Sequence, residues 1–131
     1  MLSKEQHIEF WVNQAEDDWG AVDALMTSGK FIQSLFWAHL VAEKYAKAVW
    51  IKNNPENVPP RIHNIALLIS KTPLTIPTEV GEIMLFTNKF NLEGRYPEYV
   101  QDMEVVNHRG FAEENIERIK ILIQWLKENL Q

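Results

Sequence analysis

The segment from about Lys30 to Lys52 is apolar around most of its circumference, and this property limits what the chain can fold into. Its apolar residues recur at steps of three and four, which predicts an α-helix. Only a narrow strip, with Glu43, Lys44 and Lys47, is charged. A helix this apolar cannot lie on a surface with one face in water. We therefore expect it at the centre of a helical bundle or partly covered by a second subunit.

Helical periodicity extends through almost all of the chain, and no strand pattern is present. Besides the segment 30–52, we predict helices over about residues 4–28, 62–70, 77–91 and 111–129. Ser3 and Gln6 form a capping box for the first helix, Gly29 is a candidate C-cap for it, and Pro77 can open the fourth. The predicted fold is all-α: a single-domain, antiparallel up-and-down bundle of four long helices plus one short helix.

Composition excludes several classes of protein. The chain has 131 residues, a net charge of -5 and no cysteine. The negative charge argues against a protein that coats nucleic acid without sequence preference, because such proteins carry basic surfaces. The absence of cysteine rules out disulfides and favours a reducing cytoplasm. No run approaches the length of a membrane span, and the first residues do not resemble a signal peptide.

Two acidic residues do not fit a simple bundle. Asp18 falls within the apolar arc of the first helix, where a carboxylate is costly unless a cation meets it. We expect an ion pair with a lysine or arginine from another helix, with a role at a site as the alternative. Glu43 and Lys47 form an i,i+4 pair. The simpler reading is a solvated strip, and the alternative is buried polar support for a site.

Two histidines are candidates for chemistry. His63 lies at the predicted start of the short helix, where it either packs the preceding loop or acts as an acid or base. His108 lies just before the last helix, as a turn residue near the N-cap or as a weaker catalytic candidate. The chain's four histidines have no HxxH or HxxxH spacing, so we expect no metal site and no cofactor.

An ordered set of short motifs resembles the HEPN domain, named for higher eukaryotes and prokaryotes nucleotide-binding. The first helix carries the pattern "W…A..DW.A…L" from Trp11 to Leu25, and the second carries "AEKYAKA". The motifs "PPRIHNIALLI" and "RYP" follow. The resemblance covers nearly the whole chain.

The resemblance implies an antiparallel helical bundle that is commonly dimeric. Family members are often encoded beside a small nucleotidyltransferase, as a two-component or toxin–antitoxin pair. Nucleotide binding was proposed for the family, but many members are metal-independent ribonucleases. Those carry an arginine followed four to six residues later by a histidine. The histidine acts as an acid or base on the 2′-OH, and the arginine steadies the phosphate charge.

This sequence departs from the ribonuclease pattern. The first histidine after Arg95 is His108, thirteen residues on. Arg61 and His63 are two residues apart, and on a helix their side chains would point about 200° apart. Neither spacing is that of the ribonuclease motif.

We therefore expect a non-catalytic module that binds a nucleotide, a nucleotidyltransferase partner or both, as a homodimer. The candidate phosphate and nucleotide ligands are Arg95, Tyr96, Lys44 and His63, because the arginine fork suits phosphate and a tyrosine can stack on a base. For Arg95, a loop anchor that pairs with Asp18 or Glu43 is the first interpretation, a phosphate ligand the second and a catalytic residue the third. Two alternatives stay open: a ribonuclease with a displaced Arg/His pair, and a ligand-free protein-interaction bundle.

Overall fold

A computed structural model describes residues 1–93 and 108–131, and this part of the chain is helical without any strand. The helices are α1 (Lys4–Thr27), α2 (Phe31–Asn53), α3 (Ile65–Ser70), α4 (Thr78–Glu93) and α5 (Arg109–Glu128). Four of them are long and α3 has six residues. The predicted all-α bundle is confirmed. No helix in the described ranges is long and apolar enough to cross a membrane.

Helix α2 is central, as its sequence predicted. It contacts each of the other four described helices. Its buried residues cover most of the helix circumference: Leu35, Ala38, His39, Val41, Glu43, Tyr45, Ala48 and Ile51. Burial of this apolar surface is the main stabilising contribution to such a fold.

The turn between α1 and α2 reverses the chain in three residues, Ser28, Gly29 and Lys30. Ser28 is the C-cap of α1, and Gly29 follows it with φ 76°, a left-handed conformation that favours glycine. The N–H of Lys30 donates to the Leu25 carbonyl at 2.8 Å, and that of Gly29 to the Met26 carbonyl at 3.2 Å. This is a Schellman motif. The predicted C-cap position of Gly29 was therefore wrong by one residue.

The Lys4 ammonium fastens the start of α1 to the end of α2. It donates to the backbone carbonyls of Ile51 and Asn54, both at 2.8 Å. It also lies 2.9 Å from Asn57 Oδ1 and 3.3 Å from the Glu56 carbonyl. A cation beside the last carbonyls of a helix also interacts favourably with the helix dipole. The capping box of Ser3 and Gln6 is formed as predicted and places Lys4 in the first turn.

Three helices begin at residues other than those predicted. The short helix begins at Ile65 rather than at residue 62, because Asn64 caps it by accepting from the Leu67 N–H. Helix α5 begins two residues early, at Arg109, with His108 as its N-cap. Helix α4 begins at Thr78, one residue after Pro77. Side-chain caps therefore fix two of the three starts.

The apolar stripe of α5 packs against the rest of the bundle, with Ile119, Leu122 and Leu126 buried. Ile121 is 45% exposed. Trp125, four residues further along the helix, is partly buried and packs against the core. An indole is large enough to reach the core from the edge of the stripe.

Replacing Lys4 with methionine should lower the free energy of unfolding by about 1 to 3 kcal/mol, because several hydrogen bonds to a charged donor are lost. Urea unfolding followed by circular dichroism measures the difference. Lys71→Met, at an exposed position at the end of α3, is the matched control and should change stability little. Equal stability of wild type and Lys4→Met would contradict this role.

Candidate functional site

Glu43 is a buried carboxylate on the central helix, with only 3% of the residue exposed. Its Oε1 lies 2.7 Å from His63 Nδ1, and its Oε2 lies 3.5 Å from Lys47 Nζ. The Lys47 ammonium also lies 5.0 Å from the centre of the Trp11 ring. The simpler prediction, a solvated Glu43–Lys47 strip, was wrong. A buried carboxylate requires partners of this kind, since an unpaired one would be strongly destabilising.

The bond to Glu43 orients the ring of His63. A carboxylate can only accept, so Nδ1 carries the hydrogen in this bond and Nε2 of the neutral ring is an acceptor. The His63 side chain is 48% exposed. The residue lies in the loop before the Asn64 cap, outside the helix in which it was predicted. The fold therefore presents a half-exposed imidazole on a buried carboxylate.

Asp18 of α1 forms an ion pair with Lys44 of α2. Both side chains are largely shielded, at 17% and 19% exposure. The prediction that Asp18 would meet a cation from another helix is confirmed. The charge of Lys44, a candidate phosphate ligand, is matched by this carboxylate.

Of the other predicted site residues, His108 is not brought to these side chains. His108 caps α5, and its Nδ1 accepts from the Gly110 N–H at 3.1 Å. Arg95 and Tyr96 lie outside the described residues. Together, Asp18, Glu43, Lys44, Lys47 and His63 form what we call the charge cluster, along one flank of the α1–α2 pair.

A groove on the other flank was not anticipated from the sequence. It lies between α1, α2 and α5 and has a volume of about 440 Å³. Its lining is Ala15, Glu16, Trp19, Val41, Tyr45, Lys120, Ile123, Gln124 and Lys127. On α2, Tyr45 of the groove and Glu43 of the charge cluster are two residues apart and point about 200° apart, so the groove and the cluster open on different sides of the α1–α2 pair.

One sequence signal could have indicated the groove. Lys120 and Lys127 are seven residues apart on α5, which places them on one face of the helix. Nothing in the sequence, however, shows that this face meets Trp19 of α1 and Tyr45 of α2. Three segments distant in sequence build the groove, so periodicity within one helix does not reveal it.

Tyr45 forms part of the groove wall and is almost fully buried, at 3% exposure. The Lys127 ammonium lies 5.4 Å from the centre of its ring. Burial raises the pKa of the Tyr45 phenol above its ordinary value, and the nearby Glu16 carboxylate raises this pKa further.

The sequence and the fold can now be compared with those of known proteins. The HEPN domain profile matches residues 8–130, almost the entire chain. The chain belongs to the HEPN domain family. No curated protein matches the sequence significantly.

Two solved structures share the fold of this HEPN domain. TT1696 from Thermus thermophilus has a TM-score of 0.77 at 20% identity, over 94% of this chain and 98% of that one. ST0689, an archaeal HEPN homologue, has a TM-score of 0.69 at 21% identity, over 95% and 98%. At such identities the likeness establishes the fold alone. Within the ranges 1–93 and 108–131, no group of three metal-ligating side chains is close enough to hold an ion.

Replacing Glu43 with alanine should lower the free energy of unfolding by about 3 kcal/mol, because the shielded Lys47 ammonium loses its counter-charge and His63 its acceptor. Urea unfolding near pH 7 provides the measurement. Glu117→Ala is the matched control: that carboxylate pairs with Lys120 in an exposed position, and its loss should change stability by at most about 1 kcal/mol. Equal losses in the two variants would show that Glu43 is not a buried support.

Tyr45 should make this HEPN domain less stable at alkaline pH. Because its pKa is raised in the folded state, the unfolded chain releases the proton first as pH rises past about 10. Stability is then lost up to the folded pKa. Unfolding measured between pH 8 and 11 should show a shallower decline for Tyr45→Phe than for wild type. Parallel curves would contradict the assignment, since the other tyrosines are common to both proteins.

Proposed function

We propose that this HEPN domain is a non-catalytic module that binds a nucleotide and acts beside a small nucleotidyltransferase in a two-component or toxin–antitoxin-like system. The observation that carries the proposal is the placement of the candidate histidines. His108 serves as a helix cap and His63 is held by Glu43. Neither is preceded by an arginine at the four-to-six-residue spacing that ribonucleases of the family use.

Two surface features support a binding role. The groove between α1, α2 and α5 is of the size typical of small-molecule sites, about 300 to 1,000 Å³. Leu85 of α4 is 66% exposed and Ile121 of α5 is 45% exposed. We include a homodimer in the proposal because the family resemblance implies one, and a second copy could cover exposed apolar side chains such as these.

A ribonuclease with a displaced histidine is the second candidate, and the Glu43–His63 bond favours it. With Nδ1 bound to the carboxylate, Nε2 can take a proton from a ribose 2′-OH. The exposed Arg61, two residues before His63, is then the group available to the phosphate charge. This candidate requires the histidine to act from a loop before α3 rather than from α5.

An assay of RNA cleavage by the purified protein in EDTA distinguishes the two candidate functions. We expect intact RNA with wild type, His63→Ala and the control His7→Ala. Cleavage by wild type and His7→Ala, lost in His63→Ala, would establish the ribonuclease and overturn the non-catalytic proposal. Cleavage that persists in His63→Ala but is lost in His108→Ala would also overturn the non-catalytic proposal. Cleavage that persists in both variants points to a contaminating nuclease, and the assay is then repeated on protein purified until this activity disappears.

A further inference from the structure

We propose that the groove between α1, α2 and α5 is the nucleotide site, with the base against Trp19 and the phosphates held by Lys120 and Lys127. This inference rests on the proposed function and adds its location, orientation and ligand groups.

The charge of the groove favours an anionic ligand. Its charged lining residues are Lys120, Lys127 and Glu16, a net charge of +1 in a chain whose total is -5. A second depression lies between α4 and α5, and its charged lining residues are Lys120, Glu117 and Glu128, a net charge of -1. Of these two depressions, only the groove therefore attracts phosphate.

Both lysines can turn to a phosphate at little cost. Lys120 is bonded to Glu117 at 3.0 Å, but the two side chains are 51% and 71% exposed. Ion pairs this exposed contribute little, so exchanging the carboxylate for a phosphate is easy. Lys127 lies over the Tyr45 ring, which holds its ammonium beside the groove. Their seven-residue spacing places the two lysines on one face of α5, two turns apart, so both side chains can reach phosphate groups bound along this edge of the groove.

The opposite side of the groove suits a base and a ribose. Trp19 packs partly against the core and borders the groove. The base of any nucleotide can pack against the edge or face of an indole anchored in this way. Glu16, on the same helix, can accept hydrogen bonds from an exocyclic amine or from ribose hydroxyls. It also repels phosphate, which sets the orientation of the ligand.

The charge cluster on the other flank is a poorer phosphate site. Lys44 is paired with Asp18, and Lys47 with Glu43. A phosphate placed there would meet two carboxylates that the fold keeps shielded from water, and their repulsion is only weakly screened. The lysines of the cluster neutralise the bundle's own acidic residues.

Isothermal titration calorimetry on the full chain tests the site. The probes are ATP, GTP, CTP and UTP, with adenosine and tripolyphosphate to separate the contributions of base and phosphates. Lys120→Gln, Lys127→Gln and Trp19→Leu are compared with Lys71→Gln, a lysine exposed away from the groove, and with His63→Ala. Circular dichroism confirms that each variant is folded. The two lysine variants alter exposed residues, so they remain informative if Trp19→Leu does not fold.

The inference predicts that at least one nucleoside triphosphate binds wild type and Lys71→Gln with equal affinity. The same nucleotide should bind each groove lysine variant at least tenfold more weakly. It also predicts that adenosine and tripolyphosphate each bind more weakly than ATP when ATP is the ligand. Binding that survives both lysine changes but is lost in His63→Ala would overturn the groove site and leave the proposed function standing. Absence of binding by all four triphosphates to wild type would overturn both.

Discussion

The structure depends on burying a helix that is apolar on nearly every side. Because α2 cannot leave a broad face in water, the other described helices must surround it, and the bundle follows from this requirement. The α1–α2 hairpin is then fastened at three levels along its length. Lys4 bonds the end of α2, Lys44 meets Asp18 in the middle, and Ser34 Oγ donates to the Val22 carbonyl at 2.8 Å near the turn.

Placing one carboxylate in this buried helix has consequences beyond stability. Glu43 needs donors on both oxygens, and it obtains them from its own helix and from the loop before α3. The loop containing His63 is thereby tied to the centre of the bundle. Since the interaction satisfies a buried charge, it explains the position of His63 without invoking catalysis.

The sequence predicted the fold well because helical periodicity and capping are local properties. It also predicted that Asp18 needs a cation, although it could not name Lys44, since the partner depends on how two helices pack. The burial of Glu43 was not predicted, because its i,i+4 pair with Lys47 has the same sequence spacing whether water or the core surrounds it. The groove was missed for a related reason: Trp19, Tyr45 and Lys127 come together only in three dimensions.

The two flanks of α1 have different roles in our account of this HEPN domain: one stabilises the fold and the other binds the ligand. On one flank, paired charges hold the bundle together; on the other, lysines and aromatic side chains border an open groove. A shared fold does not fix a shared activity, so function must be argued from these sites. A crystal structure grown with ATP, or with another triphosphate if calorimetry selects it, tests this division most directly. The account predicts phosphate density beside Lys120 and Lys127 with the base near Trp19. Ligand density beside His63 and Glu43 would contradict it.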